Sequence, residues 1–196
     1  AVDAIKEMAR QQNTSVNLDY LTEMNRVASA VRANFPNAKM QMTSAYVHVN
    51  PSMVLPSSFD YFAFDCYSGW DACGDSTHSL TIPQYFQILK QKVEALNQQD
   101  GKSRRIFLIP PTFVESNSTS TYESTAESTT GAQTEKLVLN LFPKYIELAL
   151  ANSIVIGVMP FLWQDLHENS KLMIGARSNP TINAIVRNYG RQILNR

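Results

Sequence analysis

The sequence predicts an α/β protein with a parallel sheet, because three apolar runs each end in aromatic or polar residues and then a carboxylate. Residues 59–75 (FDYFAFDCYSGWDACGD) begin with the strand-type run Tyr61, Phe62, Ala63 and Phe64 and turn abruptly polar at Asp65. Residues 104–115 (RRIFLIPPTFVE) and 154–165 (IVIGVMPFLWQD) take the same course. A parallel strand buried on both faces reads this way as it surfaces at its carboxyl end, where α/β proteins place their chemistry. Asp65, Glu115 and Asp165 are therefore expected on one face of the molecule.

The remaining elements follow in chain order. Val2, Ile5, Met8 and Ala9 repeat at helical spacing, and the polar residues 11–15 end that segment. A longer helix is expected over 17–34, with Asn17 as its cap and Leu21, Met24, Val27, Ala28 and Val31 as its apolar stripe. Pro36 stops it, because proline disfavours helical geometry in the residue before it. Residues 38–49 form a first strand, with alternation at Met40, Met42 and Tyr46, and the Pro- and Ser-rich residues 50–58 link it to the strand ending at Asp65. Residues 82–97 carry Tyr85, Phe86, Leu89, Val93 and Leu96 on one helical face, with Pro83 in a tolerated first-turn position.

A strand is expected over 105–113, and then the Ser/Thr-rich residues 115–134 read as a lid or a mobile segment, being longer than connections in compact domains usually are. The helix at 135–152 contains Pro143, which should kink or split it. A fourth strand at 154–163, a long loop with His167, Gly175 and Arg177, and a closing helix at 180–194 complete the chain. The order is a helix and then four βα units, which calls for a parallel sheet with right-handed crossovers.

The chain has 196 residues at 44% hydrophobic content, which suits one domain spanning 1–196. Its 17 basic and 17 acidic residues cancel, so the electrostatic footprint of a nucleic-acid binder is missing. No apolar run approaches the roughly 20 residues that span a bilayer, and no membrane partner is expected. Cys66 and Cys73 lie close enough for a small-loop disulfide or stand as two separate thiols. The low charged fraction and the sequons at Asn13 and Asn117 lean toward an extracellular or periplasmic location.

Four βα units fit an open doubly wound sheet or one half of an eight-stranded barrel. Neither G-x-G-x-x-G nor a P-loop motif occurs, which demotes nucleotide binding. FDYFAFDCYSGW with its Asp-x-Tyr, then RRIFLIPPTF, then VIGVMPFLWQD with its terminal Trp, resembles the last three βα units of (β/α)8-barrel glycoside hydrolases. The clan is the large retaining one to which many cellulases and mannanases belong, and the likeness extends from about residue 38 onward. It implies that the four strands are barrel strands five to eight of a TIM (β/α)8 barrel. An N-terminal half-barrel would then come from elsewhere on the same or another chain, and this chain would be the carboxyl-terminal part of a longer protein.

The resemblance also implies a function: hydrolysis or binding of an oligo- or polysaccharide at the barrel mouth, without a cofactor. In that clan the general acid stands on the fourth strand, outside this chain. The nucleophilic glutamate ends the seventh, where Ile109-Pro110-Pro111-Thr112-Phe113 offers no carboxylate before Glu115. Asp65 and Glu115 are the catalytic candidates, and Tyr67, Trp70, Trp163 and Asp165 the substrate-binding ones, aromatic rings being suited to the C–H faces of pyranoses. Each has an ordinary alternative in loop fixing or core packing. The second functional reading is a noncatalytic carbohydrate-binding or interaction module that has lost the acid pair. A zinc site at Cys66, Asp71, Cys73, Asp75 and His78 is disfavoured by the wide cysteine spacing.

Overall fold

The computed structural model describes residues 20–67, 69–73, 80–116, 131–161, 164, 166–168 and 171–194. Helix α1 (Tyr20–Asn34) leads to strand β1 (Gln41–Ala45) and a single 3-10 turn (Tyr46–His48). Strand β2 (Tyr61–Asp65), helix α2 (Ile82–Asp100) and strand β3 (Arg105–Ile109) follow. A short strand β4 (Phe113–Ser116) precedes helix α3 (Gly131–Leu150) and strand β5 (Val155–Val158). Strands β6 (Leu166–Glu168) and β7 (Lys171–Gly175) and helix α4 (Pro180–Leu194) close the chain. No described helix is long and apolar enough to cross a membrane.

The α/β expectation holds: β1, β2, β3 and β5 form a four-stranded, wholly parallel sheet in that order. Strand order follows chain order, with none of the reversal that defines the switch point of a doubly wound sheet. Alternate strand residues face one apolar layer. Met42, Phe62, Phe64, Ile106 and Leu108 join Ala28 of α1, Tyr85, Phe86, Leu89 and Val93 of α2, and Leu141 and Tyr145 of α3 in one buried cluster. The opposite face carries the cross-strand rows Gln41–Tyr61–Arg105, Thr43–Ala63–Phe107–Gly157 and Ala45–Asp65–Ile109. Gly157 sits under the Phe107 ring, where a Cβ would come within 3.0 Å of it.

Helix α2 has the clearest local signals. Thr81 Oγ1 accepts from the Gln84 N–H, while Gln84 Oε1 accepts from the Thr81 N–H, so two otherwise unsatisfied donors are met reciprocally. Pro83 lies in the first turn, where its missing N–H is harmless. Gly101 closes the helix at φ 71°, a left-handed conformation that side-chain-bearing residues rarely adopt.

Several expected boundaries move. The strand expected over 105–113 ends at Ile109, because Pro110 and Pro111 bring no N–H to the ladder. The chain then re-enters as β4, antiparallel to β7, in a separate three-stranded sheet ordered β4-β7-β6. That hairpin occupies the expected loop around His167. Helix α3 runs through Pro143 without a break, with Val138, Leu141, Phe142, Tyr145 and Ile146 buried on both sides of the proline. Strand β5 stops at Val158, and a bulge opposite Ile106 and Phe107 leaves Ile156 49% exposed.

The amino-terminal end of the sheet is locked by Arg104, a residue only 2% exposed. Its Nε donates to the Phe59 carbonyl at 2.9 Å, its Nη2 to the Ser57 carbonyl, and its two Nη atoms to the Asp100 carboxylate at 2.8 and 2.6 Å. The Asn97 side chain exchanges bonds with the Arg104 backbone at 2.9 and 3.1 Å. Arg104→Leu removes these donors and leaves the buried Phe59 carbonyl unmet, for an expected loss of about 3 kcal/mol in urea unfolding.

Candidate functional site

At the carboxyl end of the parallel sheet, Asp65 ends β2 between Ala45 of β1 and Ile109 of β3. The Tyr67 hydroxyl donates to Asp65 Oδ2 at 3.0 Å. Burial raises the pKa of Asp65 above its ordinary 3.8, and the Tyr67 bond only partly offsets this. Tyr145 lies behind this pair, fully buried, and its hydroxyl donates to the Cys66 carbonyl at 3.1 Å. Burial first, and the Asp65 charge second, push the Tyr145 pKa far up, so it stays a hydrogen-bond donor.

The loop after Asp65 is held from two sides. Cys66 and Cys73 are joined as a disulfide with Cα atoms 6.2 Å apart, which settles the open choice between bridge and free thiols. The Cys73 N–H donates to the Leu80 carbonyl at 2.9 Å, and the Ile82 N–H to the Trp70 carbonyl at 3.0 Å, tying the loop to the start of α2. Oxidised, the two sulfurs cannot serve as thiolate zinc ligands, and Asp75 and His78 of that alternative lie outside the described residues.

Three rings meet at the strand ends. Tyr67 stacks on Phe161 with ring centroids 5.1 Å apart and planes 14° apart, and Phe113 stands edge-on to both, at 5.7 Å from Tyr67 and 6.0 Å from Phe161. Phe161 is placed by a parallel bridge to Pro111, where its N–H donates to the Pro110 carbonyl at 3.0 Å and its carbonyl accepts from the Thr112 N–H. Phe161 remains 37% exposed, so it offers apolar ring surface to solvent.

The residues expected to share this mouth are distributed unevenly. Asp65 and Tyr67 are in direct contact there. Trp70 is half-buried, edge-on to Tyr145 at 5.7 Å, with Lys144 Nζ 5.6 Å above its ring. It packs against the helix-side core. Glu115 falls in β4 opposite Met173, in the smaller antiparallel sheet and beyond the end of β3. Trp163 and Asp165 lie outside the described residues. Phe113 and Phe161 escaped the sequence reading, which singled out the neighbouring Trp163; a proline before an aromatic at a strand end, as in Pro160-Phe161, was the available signal.

No protein-family model, curated protein or solved structure matches this chain.

Because the folded-state pKa of Asp65 is raised, the unfolded chain ionises first as pH rises past 3.8, and stability falls through the interval up to the folded value. Asp65→Asn, which keeps an acceptor for Tyr67, should unfold later than the wild type near about pH 7, and the gain should vanish near about pH 3. Urea titrations at the two pH values measure this. Reducing the Cys66–Cys73 bridge should cost about 2 kcal/mol by the loop-entropy relation, read from the same unfolding midpoint with and without reductant.

Proposed function

We propose that this chain is the carboxyl-terminal half of a glycosidase-type (β/α)8 barrel and that the end of the sheet bearing Asp65, Tyr67 and Phe161 binds an oligosaccharide. The observation that carries this reading is a half-buried carboxyl, with its pKa raised by burial, in contact with a partly exposed aromatic stack at the carboxyl ends of parallel strands. A pyranose presents C–H faces that suit the free side of Phe161 and hydroxyls that suit Asp65. Its carboxylate oxygens accept from such hydroxyls, as Oδ2 already does from Tyr67.

The half-barrel part rests on strand order. Four parallel strands in chain order, with α1, α2 and α3 gathered on one face, are what one half of a barrel requires. The other face, with Tyr61, Ala63, Phe107 and Ile109, would then line the barrel interior, and Gly157 would leave room for Phe107 in the middle layer.

Hydrolysis by a carboxyl pair requires a second acid within about 5 to 9.5 Å. Asp65 is the carboxyl that the described side chains bring into contact with this stack, so binding is the better-supported activity of this chain alone. Catalysis would need a partner from the upstream half-barrel, or Glu115. The disulfide further supports an extracellular or periplasmic location, where such bridges persist.

Calorimetric titration against a panel of β-linked and α-linked oligosaccharides tests the proposal. Phe161→Ala and Tyr67→Ala should each weaken binding by roughly 1 to 3 kcal/mol, the range for losing an aromatic contact, with little loss of stability for the exposed Phe161. Failure of the wild type to bind any member of the panel would overturn the carbohydrate reading.

A further inference from the structure

The last stretch of the chain is electrostatically unlike the rest. Residues 169–196 contain five basic side chains, Lys171, Arg177, Arg187, Arg191 and Arg196, and no Asp or Glu, although the whole chain is neutral. Three of these arginines line one open groove of about 570 Å³ along α4: Arg177 just before the helix, then Arg187 and Arg191 one turn apart on it. Asn183 and Asn188 lie between them in the lining.

This stripe is the helix face turned away from Ile182 and Val186, which hold α4 against α3. None of the three guanidinium groups forms an ion pair among the described residues. Among the described residues, the Glu135 carboxylate near this end of the helix accepts from Asn179 Nδ2 at 3.0 Å and is not in the lining. Like charges one turn apart repel along a helix, so the arrangement is more favourable with an anion between them.

We propose that this groove binds an acidic saccharide chain carrying carboxylate, sulfate or phosphate groups. Guanidinium groups match such oxyanions with paired N–H donors, and the amides of Asn183 and Asn188 suit the hydroxyls between them. The size of the groove fits several sugar units and far exceeds one inorganic ion. No aromatic side chain lines it, so the stacking platform of a single-stranded nucleic-acid site is missing. The inference stands apart from the aromatic mouth and shares no residue with it.

The test is titration of the chain with size-defined heparin and polygalacturonate fragments, neutral dextran of the same length, and an oligonucleotide of the same charge. Both acidic saccharides should bind at about 50 mM salt and weaken steeply toward about 500 mM, while dextran is not held by the groove. Arg187→Gln/Arg191→Gln should lose about tenfold or more in affinity, through removal of two charge-assisted contacts. Arg177→Gln, which lies outside the helix, should also weaken binding and does so independently of helix stability. Arg26→Gln/Lys39→Gln, equal in charge but elsewhere on the surface, should bind as the wild type does. The proposal is overturned if neither acidic saccharide binds, if the distant double variant weakens binding as much as the groove variant, or if the oligonucleotide binds more tightly than both saccharides.

Discussion

A buried guanidinium holds the frame from which the sheet mouth is built. Arg104 joins the carbonyls of Ser57 and Phe59, just before β2, to the last residue of α2 and to the start of β3. From there the pairing runs without a slip from Tyr61 opposite Arg105 to Asp65 opposite Ile109. Fixing the first pair fixes the last, because a one-residue shift would turn every side chain to the other face of the sheet. The Asp100 carboxylate remains 28% exposed, and its pKa is lowered chiefly by the hydrogen bonds from Arg104. Water screens that half of the ion pair, so the stabilisation resides more in the carbonyl contacts that Arg104 makes in the interior.

The two ends of β2 treat their carboxylates in opposite ways. At the amino-terminal end, burial works against the ionised Asp60, but the Met40 N–H, the Arg32 guanidinium and the Lys39 ammonium outweigh it and hold the pKa below its ordinary value. At the other end Asp65 has burial to contend with and, among the described residues, the Tyr67 hydroxyl as its side-chain donor. A charge compensated by two cations ties α1 to the sheet. One that meets no cation among the described residues is a local cost to stability, and such costs concentrate where a carboxyl must exchange a proton or meet a ligand.

A sheet whose strands add in chain order places its crossovers on one side, and the consequence is visible in the side chains. One face is closed by three helices over Phe62, Phe64, Ile106 and Leu108. The other has apolar character in its centre, with Tyr61 edge-on to Phe107 at 5.4 Å, yet carries exposed Thr43 and Ala45 on its first strand. Away from both faces, α4 turns to solvent a basic stripe whose arginines form no ion pair among the described residues. Apolar burial, half-buried carboxyl and basic groove are thus separated by the same winding.

The sequence by itself determined the α/β class, the presence of parallel strands around Asp65, within 105–113 and within 154–163, and the helix over 82–97 with Pro83 in its first turn. These elements carry their causes locally, in apolar runs, capping residues and the glycine that ends α2. It also placed Asp65 and Tyr67 at a strand end, because a run that turns polar marks where a buried strand surfaces. Tertiary structure alone decided the rest. The β4-β7-β6 sheet pairs segments far apart in the chain, and β6 has only three residues, too short for alternation to show. Pro143 stayed inside α3 because burial on both its sides outweighs one missing backbone bond. Phe161 became the stacking partner of Tyr67, and Trp70 a neighbour of Tyr145, through strand pairing and loop closure, and side-chain spacing along the chain carries no record of either.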